Sequence, residues 1–107
     1  MHLALSLILA ATPALSIKEA RPGLAAKAKV TAEAAIATAQ AKVPKGKIVS
    51  AELEEEKGTL IYSFDLKTAG ASGIDEVAVD AITGKVIAVE HESPADEAKE
   101  KKADQHP

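Results

Sequence analysis

The segment 59–67 alternates between apolar and polar residues, and its apolar positions are Leu60, Tyr62, Phe64 and Leu66. Successive side chains of a β-strand point to opposite faces, whereas an α-helix repeats every 3.6 residues. A period of two over this length therefore predicts a strand with one buried face. Such a strand needs further strands and a covering element to be stable.

Three further segments are predicted to be strands: 47–53, 74–81 and 86–91. Glycine-containing turns separate them, at 55–58 and 68–73, so we expect two consecutive hairpins and an antiparallel four-stranded sheet. The expected inward residues of these strands are Val49, Ala51, Leu53, Val77, Val79, Ala81, Ile87 and Val89. Between the last two strands, Asp80, Thr83 and Gly84 are predicted to form a structural turn, since an Asp carboxylate accepts amide hydrogen bonds and glycine tolerates a positive φ. A binding or catalytic role for Asp80 is the alternative.

An alanine-rich helix is predicted from Thr31, its N-cap, to Val43, where Pro44 ends it. Its expected buried stripe is Ala28, Ala32, Ala35, Ile36, Ala39 and Val43, while Glu33, Ala37 and Gln40 face away. Residues 17–30 are expected to be a short helix or linker, with Pro22 at the first helical position. The predicted fold class is α+β, with this helix covering one face of the sheet.

The N-terminal segment 1–16 is predicted to be a signal peptide. Its apolar run, Leu3–Ala11, is too short to cross a bilayer and is followed by a proline and small residues. Cleavage is expected at Ser16/Ile17, with Ala14/Leu15 as the second choice; no Lys or Arg precedes the run, and a buried core helix is the alternative. The charged segment 93–107 contains no large apolar residue, so we expect a disordered tail.

Composition excludes several classes of function. The net charge is −3 and the chain has one Tyr, one Phe and no Trp, which argues against nucleic-acid binding. The absence of cysteine excludes disulfides, thiol chemistry and Cys-ligated metals. No cofactor is expected, and no stable membrane span is expected after signal cleavage.

Catalytic and metal-binding constellations are weak in this sequence. After residue 16 the only histidines are His91 and His106, and neither is paired with an evident nucleophile. Strand alternation places His91 opposite Glu90 and Glu92, so the three cannot chelate one ion. The acidic group Glu52, Glu54, Glu55 and Glu56 could attract calcium, but it lacks the spacing of a calcium loop and is interpreted as a solvated hairpin tip. We therefore expect no enzyme and no metal site.

One surface is a candidate for binding a partner. On the sheet face away from the helix, the alternation places an apolar centre among charged neighbours: Ile48, Ile61, Ala78, Val86 and Ala88. A sheet covered by one helix usually has a more polar outer face. The hypothesis is a partner or self-association surface, and scattered apolar exposure is the alternative.

The region 31–92 resembles the PepSY family. The resemblance rests on the helix segment 33–37, the helix exit 43–46, the strand segment 61–64 and the hairpin segment 77–86, which reads Val-Ala-Val-Asp-Ala-Ile-Thr-Gly-Lys-Val. It implies a helix packed on an antiparallel sheet, export from a bacterial cell to the periplasm or medium, and a role in peptidase control. PepSY modules occur in propeptides of thermolysin-type metallopeptidases and as small stand-alone proteins; the printed chain has no peptidase domain, so action on a separate protein is expected.

These observations lead to two functional hypotheses. The first is an exported, non-catalytic protein-binding module that modulates or inhibits an exported peptidase. The second is a structural or sensory module of the cell envelope that associates with itself or contacts a membrane protein. Slowed proteolysis by the purified chain would favour the first, and a concentration-dependent mass would favour the second.

Overall fold

The computed structural model describes residues 15–95. Within this range a five-stranded sheet has the order β1-β2-β3-β4-β5, with β1 Lys18–Glu19, β2 Gly46–Glu56, β3 Thr59–Thr68, β4 Ile74–Asp80 and β5 Val86–Glu92. The helix α1, Ala32–Lys42, packs on one face of the sheet, here called the inner face. The α+β class is confirmed. None of the helices in this range is long and apolar enough to cross a membrane.

The sheet differs from the predicted one in its first strand. β1 pairs parallel to β2, with Lys18 opposite Glu52, so the sheet is mixed rather than purely antiparallel. Residues 17–30, predicted to be a short helix or linker, contain this strand and a single 3₁₀ turn, Ala25–Lys27. Leu24 anchors this segment because its side chain is only 1% exposed and lies in the core cluster. A segment of two paired residues carries no alternation that sequence reasoning could detect.

The helix begins and packs largely as predicted. The Thr31 side chain accepts a hydrogen bond from the amide of Ala34, which satisfies one of the free amides at the helix N-terminus. Ala35 and Ala39 are fully buried against the sheet. Gln40 does not face away: its side-chain amide donates to the carbonyls of Val43 and Gly46 at 3.1 and 2.6 Å and so joins the helix end to β2.

The β2–β3 hairpin is longer than predicted. Its turn consists of Lys57 and Gly58 alone, both with positive φ (51° and 81°), as a two-residue type I′ turn requires. Glu55 and Glu56 belong to β2. Glu55 forms ion pairs with Arg21 and with Lys27, so it ties the N-terminal segment to the hairpin.

Two β-bulges change which residues face the core. Ile48 pairs with Leu66 and Ser50 with Asp65, which leaves Val49 as the extra residue of β2, 48% exposed. Val86 pairs with Val79 and Ala88 with Ala78, which leaves Ile87 as the extra residue of β5. A bulge inserts one residue into one strand and reverses the facing of those beyond it. The prediction that Val49 and Ile87 point inward is therefore wrong.

The core lies between α1 and the inner face. Its fully buried large side chains are Leu24, Leu53, Phe64, Leu66, Val77 and Val79. Val89 shares the inner face with its partner Val77 but lies on the edge strand, where it remains half-exposed. Residues 1–14 of the predicted signal peptide 1–16 and residues 96–107 of the predicted disordered tail 93–107 lie outside the described residues.

Candidate functional site

The outer face of the sheet, opposite α1, forms a groove of about 700 Å³ across β2 to β5. Cross-strand pairing explains its shape, because Glu52, Ser63, Ala78 and Ala88 stand side by side on four adjacent strands. The last three of these side chains are small, so this row forms a depression between rows of longer residues.

The floor of the groove holds an apolar residue that the helix does not cover. Ile61 is 6% exposed, although it lies outside the core cluster. Its cross-strand neighbours are Glu54 on β2 and Asp80 on β4. Ile87, the bulge residue of β5, also lines the groove and is 50% exposed.

The five predicted surface residues divide between the two faces. Ile61, Ala78 and Ala88 line the groove. Ile48 and Val86 do not, because the bulges turn them to the inner face, where both pack against the core cluster. Placing these two residues on the outer face was therefore wrong. The predicted residues that remain on the outer face are Ile61, Ala78 and Ala88.

The walls of the groove are acidic, whereas the sequence predicted only charged neighbours around the apolar centre. Five glutamates and one lysine line it: Glu52, Glu54, Glu56, Glu76, Glu90 and Lys57. Glu52, Glu54 and Glu56 share this face because they alternate along β2, so the acidic group 52–56 is one wall of the groove as well as a hairpin end. The sequence did carry a signal for this wall, because residues that alternate along a strand share one face and Glu54 lies opposite Ile61.

The pKa of Glu54 is held above its ordinary value. Partial burial is the main cause, and the neighbouring carboxylates of Glu52 and Glu56 add to it. Like charges also meet across the strands, since Glu76 lies opposite both Asp65 and Glu90. Directly opposed like charges in a sheet are unfavourable, so a cation placed in the groove would relieve this repulsion.

The predicted turn lies at one end of the groove. The Asp80 carboxylate accepts hydrogen bonds from the amides of Thr83 (2.9 Å) and Ile82 (2.7 Å), and these bonds, the one from Thr83 foremost, hold the pKa of Asp80 below its ordinary value. Gly84 has φ 80°, and the Thr83 hydroxyl accepts from the amide of Lys85 at 3.2 Å. All three residues therefore serve the turn geometry.

The histidine of the described region lies away from the groove. His91 Nδ1 is 2.8 Å from a carboxylate oxygen of Asp75, its cross-strand partner on β4, whereas Glu90 lines the groove. Within residues 15–95, no three His, Cys, Asp or Glu side chains cluster closely enough to hold a metal ion. His106 lies outside the described residues.

Comparison with known proteins assigns the chain to a family. Residues 29–90 match the family model of PepSY, the peptidase propeptide and YPEB domain. No curated protein and no solved structure matches the chain. The matched region covers more than half of the chain and includes α1, β2 to β4, the first five residues of β5 and the whole groove. The chain therefore belongs to the PepSY family.

Proposed function

We propose that the chain is an exported, non-catalytic protein-binding module that modulates an exported peptidase through its outer groove. The carrying observation is the concave outer face itself, where Ile61 lies at the bottom with 6% of its surface exposed and Ile87 beside it is 50% exposed. A concave apolar floor with a polar rim is the usual form of a recognition site. Membership in a family described by peptidase propeptides supports the choice of partner.

Inhibition assays on two groove variants test this proposal. The purified chain is expected to slow a secreted thermolysin-type metallopeptidase at stoichiometric amounts while remaining uncleaved. Ile61→Ser removes the apolar floor, and Ala88→Gln fills the groove without touching the core, so each is expected to weaken inhibition by about tenfold or more. Hydrolysis of a chromogenic peptide is the measurement, and thermal denaturation shows whether each variant is folded.

Val49→Ser is the control, because Val49 is also β-branched but is 48% exposed and lies outside the groove. It is expected to inhibit like the parent chain. Equal inhibition by the parent, Ala88→Gln and Val49→Ser would show that the groove is not the contact surface. A parent chain that inhibits no peptidase secreted by its own bacterium would refute the peptidase role itself.

Export is part of the proposal and concerns the segment 1–16. Leu15 and Ile17 both pack against the core cluster, which favours cleavage at Ala14/Leu15 over Ser16/Ile17, since only the former keeps both contacts. Mass spectrometry of the chain recovered from the periplasm or medium is expected to show Leu15 as the first residue. A mature chain beginning at Ile17, or one retaining Met1, would contradict this choice.

The edge of the sheet favours a second candidate function, an envelope module that self-associates. β5 lies at the edge and pairs with β4, and two of its apolar side chains, Ile87 and Val89, are half-exposed on opposite faces. An edge strand of this kind can add a strand from another chain. A concentration-dependent mass in sedimentation, abolished by Val89→Lys, together with no effect on peptidases, would favour this function over the first.

A further inference from the structure

The groove combines an apolar floor with acidic walls on both sides. Glu54 on β2 and Glu90 on β5 stand on opposite walls, with Ile61, Ala78 and Ala88 between them. Three strand spacings separate β2 from β5, or about 14 Å. This width accommodates one polypeptide segment, whose diameter as a helix is about 10–12 Å.

Charge selects among the possible occupants. Five glutamates against one lysine make the lining strongly negative. A second copy of this chain would bring the same acidic face, so face-to-face pairing of two grooves is unfavourable. An acidic or neutral segment would desolvate Glu54 and Glu90 without supplying any opposite charge, whereas lysine or arginine side chains would neutralise them.

We propose that the groove binds a basic amphipathic segment of the partner protein, whose apolar side chain sits on Ile61, Ala78 and Ala88 while flanking lysines or arginines pair with Glu54 and Glu90. This inference rests on the proposed function, since it specifies what the groove recognises. The walls supply the charge complementarity and the floor supplies the apolar contact. The raised pKa of Glu54 fits this arrangement, because a nearby cation would offset the effects of burial and of Glu52 and Glu56.

Three synthetic peptides test the chemistry directly. The probe is acetyl-Gly-Lys-Leu-Lys-Leu-Lys-Gly-amide, with one control in which glutamate replaces lysine and another in which serine replaces leucine. Amide chemical shifts of the full chain are followed by NMR. The basic apolar peptide is expected to shift the amides of Ile61, Ala78 and Ala88 and to leave those of Ala35 and Ala39 on α1 unchanged.

Two further readouts separate pairing with the glutamates from nonspecific adhesion. Binding is expected to weaken several-fold between about 0.1 and 1 M salt, because the Debye length falls from about 10 to about 3 Å. Saturation with the peptide is expected to lower the pKa of Glu54, measured by NMR titration of its carboxyl carbon.

A charge-matched pair of variants locates the site. Glu54→Gln combined with Glu90→Gln is expected to weaken peptide binding by about tenfold, since it removes two partly exposed charge pairs. The control combines Glu19→Gln with Glu33→Gln, which removes the same charge outside the groove and is expected to leave the affinity unchanged.

Several outcomes would overturn the inference. For the peptides, they are equal affinity for the basic and acidic peptides, an affinity that does not change with salt, or no binding of the basic peptide at millimolar concentration. For the chain, they are an equal loss of affinity in both double variants, or amide chemical-shift changes confined to the α1 side. If the groove variants lose peptidase inhibition while the basic peptide neither binds nor competes, the proposed function stands and this inference fails. If the peptide binds as expected but the chain affects no peptidase, this inference stands and the proposed function fails.

Discussion

Replacing Phe64 with alanine is expected to lower the free energy of unfolding by about 3–5 kcal/mol, the usual cost of truncating a buried phenylalanine. Phe64 is fully buried and lies in the central strand between Ala51 and Val77. Its ring is 6.1 Å from that of Tyr62, and both partners across the strands are too small to fill the space it would leave. A domain of this size has about 5–15 kcal/mol of stability, so the variant is expected to be largely unfolded at physiological temperature.

Urea denaturation followed by circular dichroism measures this loss. Ile87→Ala is the control, because Ile87 is half-exposed in the groove and its truncation leaves no enclosed cavity. We expect the control to cost about 1 kcal/mol or less. A Phe64→Ala variant as stable as the control would mean that β3 does not carry the core.

Replacing Leu24 with alanine is expected to cost about 2–5 kcal/mol, although this residue precedes the region that matches the PepSY family. Leu24 packs in the same cluster as Phe64, and it anchors the segment that supplies β1 and the ion pairs of Glu55. The loss of this anchor is expected to open the segment 15–30. The amide of Ala20, which donates to the Leu53 carbonyl at 2.9 Å, is expected to lose its protection from hydrogen exchange.

Leu15→Ala is the control for this variant, because Leu15 contacts the same core but is only partly buried. It is expected to destabilise the chain less than Leu24→Ala does. If removal of residues 15–28 left the unfolding free energy unchanged, the PepSY region alone would be the folding unit and the role assigned to Leu24 would be wrong.

The helix and β3 could be predicted from sequence because their signals are local. The alternation of Leu60, Tyr62, Phe64 and Leu66 determines which face of β3 is buried whatever its neighbours are, and all four side chains are buried. The N-cap at Thr31 is likewise read from a few adjacent residues. These features depend on short-range geometry, so one sequence suffices.

The groove could be predicted only in part. Ile61, Ala78 and Ala88 were placed on the outer face from alternation alone, and they line the groove. Ile48 and Val86 were misplaced because simple alternation cannot locate a bulge. The acidic walls were not predicted, because Glu52, Glu54 and Glu56 were interpreted as a solvated hairpin tip. Glu76 and Glu90 share the groove with them only because the strands pair into one sheet.

Local periodicity in the chain determined the helix, the central strands and the buried face of β3, since each follows from the spacing of apolar residues along a single element. The tertiary structure decided the two bulges, the parallel β1 and therefore the groove. The physical reason is that a bulge or a two-residue strand is selected by the free energy of packing against distant residues, here Leu66, Val79 and Leu53. This packing free energy depends on how the strands pair, so it cannot be read from the sequence of any one strand.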